Sequence, residues 1–167
     1  METEYEIKIL DINPTELKLT LKKLRAKHIG KYNYRRYIFS LYKENSWIRL
    51  RSDGKQHTLT YKQVITNTID GVKELEVTVD DFERTKQILI HAGLKQQDYQ
   101  ENSRDLYILD GVEISLDKWP KLPTFAEIEG SNIENVRQMV NKLGLAKYKS
   151  TSKPISGIYE LYNINMS

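Results

Sequence analysis

The sequence predicts an α+β protein, a closed or nearly closed eight-stranded antiparallel β-barrel with helices packed outside. Three observations predict it. Eight short stretches read as β-strands, and on seven of them charged residues share one face opposite apolar ones. Turn signals at Asp53-Gly54, Asp70-Gly71 and Asp110-Gly111 place several of them in hairpin order. Three stretches of helical period, each with a clear stop, interrupt the strands.

The first strand covers residues 2–10. A helix follows, with Asn13 as N-cap, Pro14 at its first position and Glu16 completing the capping pattern. Leu17, Leu21 and Leu24 form its apolar stripe, and it stops before Gly30. Strands at 32–42, 46–52, 57–65 and 70–79 come next. The second helix runs from Asp80 or Asp81 to Gly93, with Phe82, Ile88 and Leu89 inward and Gly93 at the C′ position. Strands at 103–110, 111–118 and 124–130 complete the set. The third helix starts at Ser131 or Asn132, carries Val136, Met139, Val140 and Leu143, and ends at Gly144. A short terminal helix follows Pro154. All 167 residues read as one domain, a length at which roughly 70% of the unfolded surface is buried.

Composition narrows the chemistry. Apolar residues make up 39% and charged residues 29%, the balance of a soluble globular chain, while 8 glycines and 4 prolines argue against a linker-rich or collagen-like one. The absence of cysteine excludes disulfides, thiolate metal sites and cysteine nucleophiles, so any metal must be held by carboxylates or by the 3 histidines. A net charge of +3 permits a polyanionic partner without implying one. The acidic start Met1-Glu2-Thr3-Glu4 has no basic leader, and no run approaches the ~20 apolar residues of a membrane span. The expectation is a cytoplasmic protein with no membrane partner.

Strand period sorts the charges onto one face. Glu4, Glu6 and Lys8 lie opposite Tyr5, Ile7 and Ile9, and Arg49 and Arg51 lie opposite Ile48 and Leu50. Lys62 falls on the next strand, and Glu74 and Glu76 alternate with Leu75 and Val77. Arg104 and Asp117 follow, and Glu127 and Glu129 alternate with Ala126 and Ile128. For any one of these pairs a solvated strand face is the ordinary reading. The whole set points elsewhere: helices need the apolar face, so closure turns the charged face inward. Buried charges are costly unless paired or bound to ions. Arg and Lys suit phosphate oxygens, whereas the carboxylates would repel phosphate unless Mg²⁺ or Mn²⁺ intervened. Acids and bases on one interior surface therefore read as metal–polyphosphate binding.

These residues resemble the CYTH, or triphosphate tunnel metalloenzyme, superfamily, which includes class IV adenylyl cyclases, thiamine triphosphatases, tripolyphosphatases and RNA triphosphatases. The similarity rests on Glu4-x-Glu6-x-Lys8, Arg49-x-Arg51, Leu59-Thr60-x-Lys62, Glu74-x-Glu76, Leu116-Asp117 and Phe125-x-Glu127-Ile128-Glu129, collinear over nearly the whole chain. The resemblance implies metal-side carboxylates at Glu4, Glu6, Asp117, Glu127 and Glu129. It implies phosphate clamps at Lys8, Arg49, Arg51, Lys62 and Arg104, with Glu6, Lys8 and Glu76 as catalytic candidates and Glu74 assisting. Two departures stand out. The sixth strand reads Asn102-Ser103-Arg104 where the pattern often has Lys-x-Arg, one cation short. Ser156-Gly157-Ile158-Tyr159 only approximates the C-terminal Ser-Tyr motif, leaving Tyr159 as a substrate-contacting lid candidate.

The implied activity is metal-dependent hydrolysis of a triphosphate-containing small molecule. The alternatives are cyclisation of ATP to cyclic AMP and pyrophosphate, and a non-catalytic nucleotide- or polyphosphate-binding module. Acids outnumber bases on the interior face, which disfavours nucleic acid; a homodimer is admitted. His28 and His91 read as helix-end residues and His57 as a strand residue, without ligand spacing. Trp47 and Trp119 read as packing residues beside the charged motifs, and one of Arg35 and Arg36 enters the interior.

Overall fold

The computed structural model describes residues 1–166. Its elements are β1 (Glu2–Ile9), α1 (Pro14–Lys23), β2 (Lys27–Ser40), β3 (Ser46–Ser52), β4 (His57–Val64) and β5 (Val72–Val79). They continue with α2 (Phe82–His91), β6 (Lys95–Leu109), β7 (Val112–Lys118), β8 (Phe125–Gly130), α3 (Ile133–Lys142), β9 (Ser150–Thr151) and α4 (Ile155–Leu161).

The strands form one antiparallel sheet in the order β5-β4-β3-β2-β6-β7-β8-β1, and it closes where Glu2 of β1 meets Glu74 of β5. Closure leaves no free edge among the eight strands, and side chains then alternate between the interior and the outside. The predicted α+β barrel is the fold observed.

Local chemistry explains the helix starts. Asn13 Oδ1 accepts from the Thr15 and Glu16 N–H groups, Asp81 accepts from Arg84 N–H, and Asn132 accepts from Asn135 N–H. Gly93 and Gly144, at φ of 92° and 67°, take the left-handed backbone that follows a helix C-terminus. Asp110 and Gly111 both have positive φ, as a two-residue hairpin turn between β6 and β7 requires.

The main core lies outside the barrel wall. Ile9, Ile114, Ala126 and Ile128 point outward and are covered by Leu17 and Leu21 of α1 and by Val136 and Met139 of α3. A second cluster places Phe82 and Leu89 of α2 over Phe39 and Leu50. A third packs Ile158 and Tyr159 of α4 against Leu10, Trp119 and Phe125.

Several expectations are corrected. β2 begins at Lys27 and β6 at Lys95, both earlier than the sequence suggests, because the polar stretches pair with each other from Lys27↔Ile108 to Ser40↔Lys95. Long-range pairing overrides weak local propensity there. His28 therefore sits on a strand, its Nε2 2.7 Å from Asp105 Oδ1, and not at a helix end. The two-residue strand β9, which pairs with Lys8 and Ile9, has no counterpart in the predicted set. Ile88 is 66% exposed. At about 100° per residue, Leu89 returns to the azimuth of Phe82, whereas Ile88 stands about 120° away. Helices do not cover every outward apolar face either: Leu75 and Val77 on β5 are 57% and 53% exposed.

This burial pattern makes a stability prediction. Leu89→Ala should cost about 2–5 kcal/mol, whereas Ile88→Ala should change stability by no more than about 0.5 kcal/mol. Urea unfolding of the two variants beside the wild type checks the difference.

Candidate active site

Each strand sends its charged alternate residues into one interior cavity of about 780 Å³. β1 contributes Glu4, Glu6 and Lys8; β3, Arg49 and Arg51; and β4, Lys62. β5 contributes Glu74 and Glu76, β6 Arg104, β7 Asp117, and β8 Glu127 and Glu129. The structure thus brings together every sequence-predicted acid and cation. Tyr159 is the exception. It is 3% exposed, its hydroxyl donates to the Pro120 carbonyl at 2.7 Å, and it packs in the α4 core beside Trp119 and Phe125, which line the cavity while it does not. Its neighbour Ser156 lines the cavity.

Most of the cations are neutralised in place. Lys62 donates to Glu4 Oε1 at 2.6 Å and lies 3.3 Å from Glu74. Arg104 grips Asp117 bidentately at 2.8 and 2.7 Å and reaches Glu127 at 2.8 Å. Lys8 bonds Glu6 and lies 3.6 Å from Glu127. Arg49 lies 3.3 Å from Glu76.

These pairs set protonation. Burial would drive the Lys8 ammonium toward its neutral form, but Glu6 and Glu127 overcome burial and raise its pKa. Burial likewise opposes the Glu127 carboxylate, yet Arg104 and Lys8 hold its pKa well below the ordinary range. Glu76, bonded to Thr60 and facing Arg49, is also depressed despite burial. Glu129 and Arg51 are among the groups that lack such compensation. Burial, with Glu127, Glu6, Glu4 and Glu113 nearby, pushes the Glu129 carboxyl up to about 8. Burial and Arg49 pull the Arg51 guanidinium down to about 10.

Around the barrel, β7, β8 and β1 are neighbours, and β2 and β3 lie across from them. Glu129 pairs in register with Glu6 on one side and Glu113 on the other, so the first wall carries surplus acid. Arg36 and Arg51 are partners in register on the second wall, which carries surplus base. Carboxylate oxygens of Glu6, Glu127 and Glu129 lie within 4.8 Å of one another. Of the expected metal-side acids, Glu4 and Asp117 lie outside this cluster and are paired with Lys62 and Arg104.

Arg36, Tyr34 and Glu113 line the cavity without having been assigned to it. Alternation could have found Glu113, two and four residues before Ser115 and Asp117. Arg36 enters the interior, while Arg35 points outward over Phe82.

The CYTH domain family model matches residues 2–157. A candidate adenylate cyclase of Methanocaldococcus jannaschii is 28% identical over 137 residues, covering 78% of this chain and 77% of that protein. The solved PH1012 protein of Pyrococcus horikoshii superposes with a TM-score of 0.80 at 25% identity, covering 97% of this chain and 99% of its own. A conserved Pyrococcus furiosus protein gives 0.79 at 21% identity, covering 92% and 98%.

The Glu129 environment predicts a pH dependence. The folded carboxyl keeps its proton up to about 8, whereas an unfolded glutamate releases it near 4.5. The folded protein therefore binds more protons in that window and should lose stability as pH rises through it. In chelator, the wild-type melting temperature should fall from pH 5 to pH 8.5 by more than that of Glu129→Gln; parallel thermal melts of the two proteins check this.

Proposed function

The chain belongs to the CYTH domain family, and we propose that it is a divalent-metal-dependent enzyme that hydrolyses the phosphoanhydride of a triphosphate-containing substrate. The observation that carries this reading is the juxtaposition, in one cavity, of the Glu6–Glu127–Glu129 cluster and the opposing Arg36–Arg51 wall.

The acidic cluster fits a hard cation. It offers only carboxylate oxygens, the ligands that Mg²⁺ and Mn²⁺ prefer. Glu129 keeps its proton at the expense of its charge, and a nearby positive ion would relieve that repulsion. Glu6, Glu127 and Glu129 would hold the ion, with Glu4 and Asp117 behind them. When bound, it supplies charge neutralisation for the phosphate chain and acidifies water.

The chain's own residues do the rest. Arg49, Arg51, Lys62, Arg104 and Lys8 present fixed donors to phosphate oxygens, so positioning and electrostatic stabilisation provide the acceleration. Lys8 is bonded to Glu6 and lies 3.6 Å from Glu127, so it is in contact with two of the three acids of the cluster. Glu76 accepts from Thr60 and Arg49 and keeps the Arg49 guanidinium aimed inward; Glu74 does the same for the Lys62 ammonium. A cavity of about 780 Å³ falls within the roughly 300–1,000 Å³ of sites that hold drug-sized ligands. That size supports an organic triphosphate as well as the inorganic chain. A second reading, cyclisation of ATP, is favoured by the M. jannaschii relative's name and uses the same clamps, with the ribose 3′-hydroxyl as nucleophile.

Incubation with tripolyphosphate, thiamine triphosphate and ATP in Mg²⁺ or Mn²⁺, followed by chromatography, should yield orthophosphate. Cyclic AMP with pyrophosphate would instead establish the second reading, and metal-dependent calorimetric binding without any product would establish a binding module. Glu6→Gln and Arg51→Ala should each lower kcat/KM by about 100-fold or more, with circular dichroism unchanged. Wild-type phosphate release by either variant would sink the assignment.

A further inference from the structure

Among the described residues, Arg36 and Arg51 are the cavity cations with no carboxylate at ion-pair distance. Lys8, Arg49, Lys62 and Arg104 each have at least one. Arg36 is the less expected of the two. It enters from β2, opposite Arg51 on β3 and Gln100 on β6, and is 8% exposed. Its Nη2 donates to Asn102 Oδ1, and its guanidinium carbon lies 4.8 Å from the Trp119 ring centroid and 5.8 Å from that of Tyr34. Its Nε has no partner.

A neutral acceptor and two ring faces compensate only part of the cost of burying a cation. Burial and the like charges of Arg49, Arg51 and Arg104 lower the guanidinium's pKa, opposed by Asp117. A residue selected for stability alone would not be placed so. A guanidinium aimed into a cavity, with an unused N–H and a second unpaired guanidinium beside it, fits an anion with several oxygens. Asn102 stands where β6 is one cation short of the motif, and Arg36 brings a positive charge to that same point from the neighbouring strand.

We infer that Arg36, with Arg51, forms an anion subsite on the β2–β3 wall that grips one phosphoryl group of a polyphosphate chain; this deepens, and rests on, the triphosphate reading. The subsite is built from protein cations alone, so it works without metal. It also predicts an inverse relation between binding and stability, because a neutral residue at this position relieves like-charge repulsion.

The test uses tripolyphosphate titrations by calorimetry in chelator, together with ligand-free thermal melts. Wild type should bind, Arg36→Gln should bind at least tenfold more weakly yet melt higher, and Arg36→Gln/Asn102→Lys should recover most of the affinity. Unaltered binding by Arg36→Gln overturns the inference and leaves the triphosphate reading intact. So does a lower melting temperature, or failure of both Arg36→Gln and Arg36→Met to fold, since each marks a structural arginine. Wild-type binding only with Mg²⁺ overturns the metal-free subsite alone, and no wild-type binding in either condition overturns both readings.

Discussion

Ionised side chains held away from bulk water govern this molecule. An isolated charge in a protein interior costs several kcal/mol even after relaxation, and pairing recovers that only with close geometry. The barrel meets the constraint unevenly. Arg104 is clasped by Asp117 and Glu127, and Lys62 by Glu4 and Glu74, so these two cations have their counter-charges in place. Glu129 on one wall and Arg36 and Arg51 on the other are not. Anything that binds the folded state and supplies the missing charge stabilises it by linkage, so ligand affinity and fold stability are coupled here.

The architecture exists to make that arrangement possible. A flat antiparallel sheet would keep its charged face wet, and the same side chains would titrate as ordinary surface groups. Pairing of β1 with β5 wraps the face inward, and α1 and α3 then find the apolar outside of β1, β7 and β8. Where no helix lies outside, as over Leu75 and Val77, the apolar residues stay exposed. The core is thus the outer shell and the polar site is the centre, the reverse of a small barrel filled with aliphatic side chains.

How much of this could be read from the chain depends on what sets each feature. Glu4-x-Glu6-x-Lys8 and Phe125-x-Glu127-x-Glu129 were legible because strand alternation is a local property. Asn13, Asp81 and Asn132 were legible as caps because a short polar side chain before an apolar stripe satisfies the free N–H groups beside it. Residues 95–101 were not, since Lys95-Gln96-Gln97-Asp98 has no apolar rhythm and is a strand only because β2 lies alongside. Arg36 and Arg35 could not be told apart without that same register. The packing of Tyr159 left no local signal, because the hydrogen bond from its hydroxyl to the Pro120 carbonyl spans 39 positions.

The charge pattern also limits what the site can decide. In the proposed reaction, the phosphoryl group nearest the Glu6–Glu127–Glu129 wall is the one whose developing charge a cation there would neutralise, while the groups toward Arg36 and Arg51 are held by protein alone. Hydrolysis and cyclisation place the same demands on those two walls. They differ in which phosphorus faces the acidic wall and in which oxygen attacks it. In the proposed reaction that choice rests on where the organic part of the substrate lodges, and the neutral lining available to it comes from Tyr34, Trp47, Trp119 and Ile155. In that reading one electrostatic frame suits either chemistry, and substrate choice should follow these neutral side chains more closely than the charged motifs.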